Sequence, residues 1–195
     1  YIFLIFLLPS VLYSQTSWEY KLANPLNDFY AIKFFDINTG ITAGANGIIM
    51  KTIDGGMNWL TIKIPATKKI NSFYFLDETN GLACGDSGLI LFTTNRGSSW
   101  VIRNSGTAKN INSIARLSFT DFIGVCSGGD LIRTANGGIT WTSNNIAGFN
   151  LKSIQIFNNN NWFVCGDSVV ILKTSNAGSS WQRYKIDTSG YNYEM

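Results

Sequence analysis

The sequence predicts an all-β fold, a β-propeller of four-stranded antiparallel blades. Three observations lead there: a repeat of about forty residues, four short strand patterns within each repeat, and no window with helical periodicity. Trp18, Trp59, Trp100, Trp141 and Trp181, five of the six tryptophans, follow one another at intervals of 41, 41, 41 and 40 residues. The residues before four of them also repeat, as Thr-x-Asp/Asn-x-Gly-x-(Ser/Thr/Asn)-Trp. These boxes are Thr52, Asp54, Gly56 and Trp59; Thr93, Asn95, Gly97 and Trp100; Thr134, Asn136, Gly138 and Trp141; and Thr174, Asn176, Gly178 and Trp181.

Each unit reads in order as strand, turn, strand, turn, strand, box, strand. Ile32, Phe73, Ile114 and Ile154 hold one position in the first strand. A turn such as Asn38-Thr39-Gly40 follows, then a strand of small residues such as Leu82-Ala83-Cys84-Gly85. This second strand suits the crowded region near a ring axis. A tight turn leads to Ile48–Thr52 and its copies, and the box Trp opens the last strand. Gly, Asn and Asp punctuate every junction, as hairpins require. The units span about 29–64, 72–104, 113–145 and 153–187. Residues 16–22, around Trp18, read as a fourth strand that closes a preceding blade. Such sheets pack radially and so protect their edges.

Composition agrees and excludes other classes. The chain has 195 residues, 45% hydrophobic, with a net charge of +3. Disorder needs low hydrophobicity and high charge, and backbone-driven nucleic-acid binding needs more cations. There is no histidine, which removes His-based triads and His metal ligands. Neither a cofactor nor a metal site is implied. Cys84, Cys126 and Cys165 are an odd number without a Cys-x-x-Cys pair, which argues against a disulfide framework. They read as buried thiols on strands, with Cys126 displaced by one residue onto the other face of its strand.

The apolar run Tyr1–Leu8, followed by Pro9 and small polar residues, resembles the core and cleavage region of a secretory signal peptide without its basic start. It is shorter than the roughly 20 residues of a spanning helix. Residues 1–14 are therefore expected to be removed, leaving 15–195 as the propeller of a secreted, periplasmic or cell-envelope protein.

The boxes have a physical purpose. Asn and Asp side chains bond the N–H groups of their own turn, Gly supplies positive φ, and Trp buries a large ring. The motif is similar to the Asp-box, the bacterial neuraminidase repeat. The whole unit, with Gly40, Gly44 and Gly47 ahead of its box, resembles the photosystem II assembly and stability factor family. Three of the four boxes carry Asn where that family prefers Asp. Phe122 and Trp162 replace the Gly that opens the second strand. The resemblance implies a ring of about seven blades and an assembly or scaffold role. Four units then make a piece of a six- to eight-bladed ring, with a closed four-bladed ring as the alternative.

Asp-boxes also occur in sialidases and xyloglucan hydrolases. A glycoside hydrolase needs two carboxylates about 5–10 Å apart. Asp86 and Asp167, at equivalent turns two blades apart, are the candidates, although an Asp capping a tight turn explains both. Arg96, Arg116 and Arg133 hold different repeat positions and form no evident triad. Lys68, Lys69, Lys109 and Lys152 lie on the same face as the two aspartates and make a modestly basic rim. The reading is an exported, non-catalytic propeller that binds a protein, a cell surface or a glycan through that rim. It binds no nucleic acid and spans no membrane. A fragment of a secreted Asp-box hydrolase is the alternative.

Overall fold

A computed structural model describes residues 27–185. The expected signal segment 1–14, the strand at 16–22 and the chain after Lys185 lie outside the described residues. The first sheet contains β1 (Phe29–Phe34), β2 (Gly40–Gly44), β3 (Ile49–Thr52) and β4 (Leu60–Ile62). The second contains β5 (Ile70–Phe75), β6 (Gly81–Gly85), β7 (Leu89–Thr93) and β8 (Val101–Asn104). The third contains β9 (Ile111–Arg116), β10 (Phe122–Cys126), β11 (Asp130–Thr134) and β12 (Thr142–Asn145). The fourth contains β13 (Leu151–Ile156), β14 (Trp162–Gly166), β15 (Val170–Thr174) and β16 (Gln182–Lys185). Each is an antiparallel meander in chain order, and no α-helix occurs among the described residues.

Consecutive sheets stack face to face around an arc. The alternation of side chains along a strand decides which neighbour each residue meets. Residues two and four of a second strand face the following sheet, while residues one, three and five face the preceding one. Ile123 and Val125 of β10 thus pack with Trp162 and Val164 of β14. Leu82 and Cys84 of β6 pack with Phe122 and Cys126 of β10. The second strands of the first three sheets are buried throughout. Those of the second and third sheets are sandwiched between sheets, and none of the three sits nearest the axis as the sequence suggests. The first strands hold that place: β1 packs on β5, β5 on β9, and β9 on β13.

A bulge interrupts each first strand and frees one residue. In the second and third sheets that residue is an asparagine that ties one blade to the next. Asn71 Nδ2 donates to the Ile111 carbonyl at 3.0 Å, and Asn112 Nδ2 to the Leu151 carbonyl at 2.6 Å. The first and fourth sheets do not pack on one another, so the arc is open and is not a four-bladed ring.

Two buried-residue expectations need correction. Cys84 and Cys126 are fully buried, and burial pushes both thiols up, that of Cys126 to about 12. Cys165 is exposed, because it points from β14 to the side of the fourth sheet that no described sheet covers. Of the box tryptophans only Trp100 is buried, while Trp59, Trp141 and Trp181 are half-buried. Trp100 lies in the cluster formed with Ile41 and Ala43 of the preceding sheet, whereas Trp59 has no described sheet before it.

Candidate functional site

The ends of the sheets form two faces. On one, each box faces the turn between its first and second strands. The Thr52 hydroxyl donates to Asp54 Oδ1 at 2.8 Å and accepts the Gly56 N–H at 2.9 Å. Asp54 in turn accepts the Asn58 N–H at 2.9 Å and Asn58 Nδ2 at 2.7 Å. Those bonds, the backbone one foremost, hold the Asp54 carboxyl below its ordinary value. Thr93 with Asn95, Thr134 with Asn136, and Thr174 with Asn176 repeat the pattern, the asparagine amide reaching Ser99, Thr140 or Ser180. Backbone bonds such as Gly55 N–H to the Asn38 carbonyl, 2.8 Å, fasten the boxes to the neighbouring turns. Little hydrogen-bonding capacity is left over for a ligand.

The opposite face carries the connections between sheets and the one-turn 3-10 segments Ala45–Gly47, Asp86–Gly88 and Ser127–Gly129. All six rim residues singled out in the sequence lie here, and the structure pairs most of them. Lys69 meets Asp86 at 3.8 Å, and Lys152 meets Asp167 at 3.3 Å. Asn71 Nδ2 reaches Asp86 at 3.1 Å, and Asn150 Nδ2 reaches Asp167 at 2.8 Å. Lys68 donates to the Ser87 carbonyl at 3.2 Å. Lys109 meets Asp130 at 2.8 Å. Asp130 was missed because it opens a strand instead of sitting in the turn. Burial works against its carboxylate, but Lys109 and Asn145 outweigh that and hold it below its ordinary value. Five of the six rim residues are therefore charge-matched, while Lys68 meets a carbonyl instead of a carboxylate.

Tyr30 also belongs to this face, and nothing in the repeat signals it. Its hydroxyl donates to Asp28 at 3.4 Å, and Lys69 Nζ lies 4.9 Å from its ring centre. Desolvation, then Asp28, pushes the phenol up, so it stays protonated and is a poor nucleophile. Asp86 and Asp167 each spend oxygens on a lysine and an asparagine of their own sheet. Arg96 pairs with Glu78 and Asp36, Arg116 with backbone carbonyls, and Arg133 with Asp121. Three separately engaged arginines do not converge on a substrate carboxylate. Among the described residues no group of three or more His, Cys, Asp or Glu side chains could hold a metal ion. A groove of about 640 Å³ opens between the Pro65–Lys68 connection and the end of β8, over Gly88 and Leu89.

The sequence profile of the photosynthesis system II assembly factor YCF48 family matches residues 11–106. The solved structure of YCF48 bound to a D1 peptide superposes with a TM-score of 0.68 at 19% identity, over 84% of this chain and 56% of that one. The chain is a β-propeller, and its residues 11–106 are similar to the photosystem II assembly factor family. YCF48 from Cyanidioschyzon merolae superposes on this propeller with a TM-score of 0.63 at 20% identity, over 75% of this chain and 50% of that one. An ancestral GH74 enzyme gives 0.65 at 18% identity, over 83% of this chain and 25% of that one. The chain thus spans about half the length of the two YCF48 chains and a quarter of the enzyme. No curated protein matches its sequence.

Proposed function

We propose that this propeller is an exported, non-catalytic binding scaffold that takes a segment of another protein on its connection face, as an assembly factor does. The observation that carries the reading is the likeness to YCF48, a propeller of the same kind solved with a peptide bound. The asymmetry of the two faces supports the choice of side. The boxes consume their own polar groups, while the connections 65–69, 105–110 and 146–150 differ from one another and the first two border an open groove. Loops on a rigid scaffold are where such folds keep their function.

A pull-down from the source organism's cell envelope tests this. The second bait carries Lys68→Glu with Lys69→Gln, Lys109→Gln and Lys152→Gln, since a glutamate at the last three would sit against an aspartate. Loss of a protein partner from the second bait supports the reading, and identical partners on both overturn the rim. N-terminal sequencing of the mature protein tests export, with Gln15 as the expected first residue. The likeness to a GH74 enzyme favours one second reading, a part of a secreted hydrolase. Release of reducing sugar from xyloglucan, abolished by Asp86→Asn, would replace the scaffold reading with that one.

A further inference from the structure

Each sheet ends outward in its fourth strand, so β4, β8, β12 and β16 form the outer edges of the arc. An edge strand offers a row of unpaired N–H and C=O groups, and proteins blunt it by shortness, Pro, Lys or polar side chains. β4 is three residues long, β12 reads Thr-Ser-Asn-Asn and β16 reads Gln-Arg-Tyr-Lys. β8 is not blunted. It reads Val-Ile-Arg-Asn, pairs with β7 without a bulge, and leaves Val101 54% and Ile102 52% exposed. Among the described residues no main-chain group of Val101–Asn104 bonds outside this sheet. A described sheet stands on either side of it, so the ends of the arc do not set these exposures.

The two sides of β8 differ. Ile102 and Asn104 lie beside Leu91 and Leu89, on the side of the first sheet, where they line the groove of about 640 Å³. Val101 and Arg103 lie beside Phe92 and Ile90, on the side of the third sheet. The half-buried Arg103 guanidinium lies 5.1 Å from the Phe92 ring centre, and its Nε is shut away from solvent without an acceptor. Arg96, Arg116 and Arg133 all have oxygen partners. A buried N–H with no acceptor has lost its water, and only a new acceptor recovers that loss.

We propose that an extended segment of another protein adds to β8 as a fifth strand, with a Glu or Asp opposite Arg103 and apolar side chains opposite Val101 and Ile102. This rests on the peptide-binding reading above and gives that peptide its chemistry. Main-chain bonds along the edge supply affinity, and side-chain pairs supply specificity. Directly opposite residues share one face of a sheet. The acid therefore reaches Arg103 on one side, and the residue opposite Ile102 borders the groove on the other. Unlike Lys69, Lys109 and Lys152, Arg103 has no internal acid for the segment to displace among the described residues.

Fluorescence polarisation with the labelled peptide Ser-Ser-Val-Val-Glu-Val-Val-Ser-Ser tests the proposal, since its symmetric order fits β8 in either direction. Saturable binding to the full chain is expected, with slowed hydrogen exchange at amides of Val101–Asn104. The same peptide with Lys in place of Glu should bind more weakly to the wild type. Arg103→Glu should reverse the two preferences, weakening the Glu peptide and strengthening the Lys peptide, each by about tenfold. Of the two peptides N-methylated at alternate residues, one should fail to bind, because only one set of amides meets the edge. No binding to the wild type, affinity indifferent to the peptide's charge, or β8 amides left unprotected by the peptide each overturn the proposal. Protection of β8 that grows with protein concentration alone overturns it in favour of pairing between copies. An envelope partner that Arg103→Glu retains and the rim-lysine bait loses overturns the fifth strand and leaves the scaffold reading standing.

Discussion

Replacing Trp100 by alanine tests the packing most directly, because one side chain joins two sheets. Its ring is 5% exposed and stacks on Phe73 at 5.8 Å, with Phe75 edge-on at 6.2 Å. Its indole N–H donates to the Gly97 carbonyl at 3.0 Å. Roughly 200 Å² of buried aromatic surface at about 25 cal/mol/Å² gives about 5 kcal/mol, an upper figure because unfolded chains are partly collapsed. A cost of about 3–5 kcal/mol is expected, or a fall in Tm of roughly 10 °C for a chain of this size. Trp59→Ala should cost less, since that ring is half-buried. Thermal and urea unfolding followed by circular dichroism avoid relying on the fluorescence of the residue removed. Equal losses for Trp100→Ala and Trp59→Ala would refute the claim that burial of the ring sets the cost.

Glycine substitutions separate space from backbone strain. Gly88→Ala (φ +73°) would set a Cβ 1.8 Å from the Thr107 carbonyl and should prevent folding, read as loss of soluble protein. Gly137→Ala (φ +70°), with nothing within 4 Å, should cost only the left-handed backbone term of about 1–2 kcal/mol in urea unfolding. The box of the first sheet should be pH-sensitive. Asp54 is held below its ordinary value, so its contribution is complete above the unfolded carboxylate pKa of about 3.9 and disappears as pH falls through the lower folded value. Asp54→Asn, the residue found in the other three boxes, should leave Tm at pH 7 nearly unchanged and lose less Tm than wild type between pH 5 and 3.

The fold was legible because it is written four times. A tryptophan every forty residues and a repeated Thr-x-Asx-x-Gly turn set the period, and the alternation around Leu82–Gly85 placed the second strands. What repetition cannot show is position within the arc. Trp59 and Trp100 are the same residue in the repeat, yet one is half-buried and the other buried; a preceding sheet alone does not decide it, since Trp141 and Trp181 have one and are half-buried too, whereas Trp100 is packed by Phe73 and Phe75. Cys84 and Cys165 differ because only Cys84 has a described sheet after its own. The rim was legible only as a set of positions. Asp130 sits three residues past the position of Asp86 and Asp167, which Ser127 holds in the third sheet, and Tyr30 stands where the next two sheets have asparagine, so neither aligned with a motif. The pairing of Lys109 with Asp130 depends on the connection folding back over the 3-10 turn, which no local pattern encodes.

That pairing changes what the rim can bind. A lysine already matched by an aspartate gives an acidic ligand no free cation, and the ligand must displace the internal partner for a gain that nearly cancels. Exposed pairs are worth about 1 kcal/mol or less, so charge alone cannot hold a partner here. Shape and apolar contact in the groove beside Pro65 must do more of the selecting. Removing an internal acid should therefore create affinity. Asp130 is the best place to try, because it holds Lys109 at 2.8 Å with its own side chain 14% exposed. Asp130→Asn keeps the shape and the contact with Asn145 while freeing Lys109. Retention of the variant on a poly-glutamate column should increase over wild type at low salt, and the difference should vanish at about 1 M salt, where the Debye length is about 3 Å. Lys109→Gln added to Asp130→Asn should return retention to the wild-type value. Unchanged retention in Asp130→Asn would mean that Lys109 is not silenced by its partner and that the rim acts as an open basic surface after all.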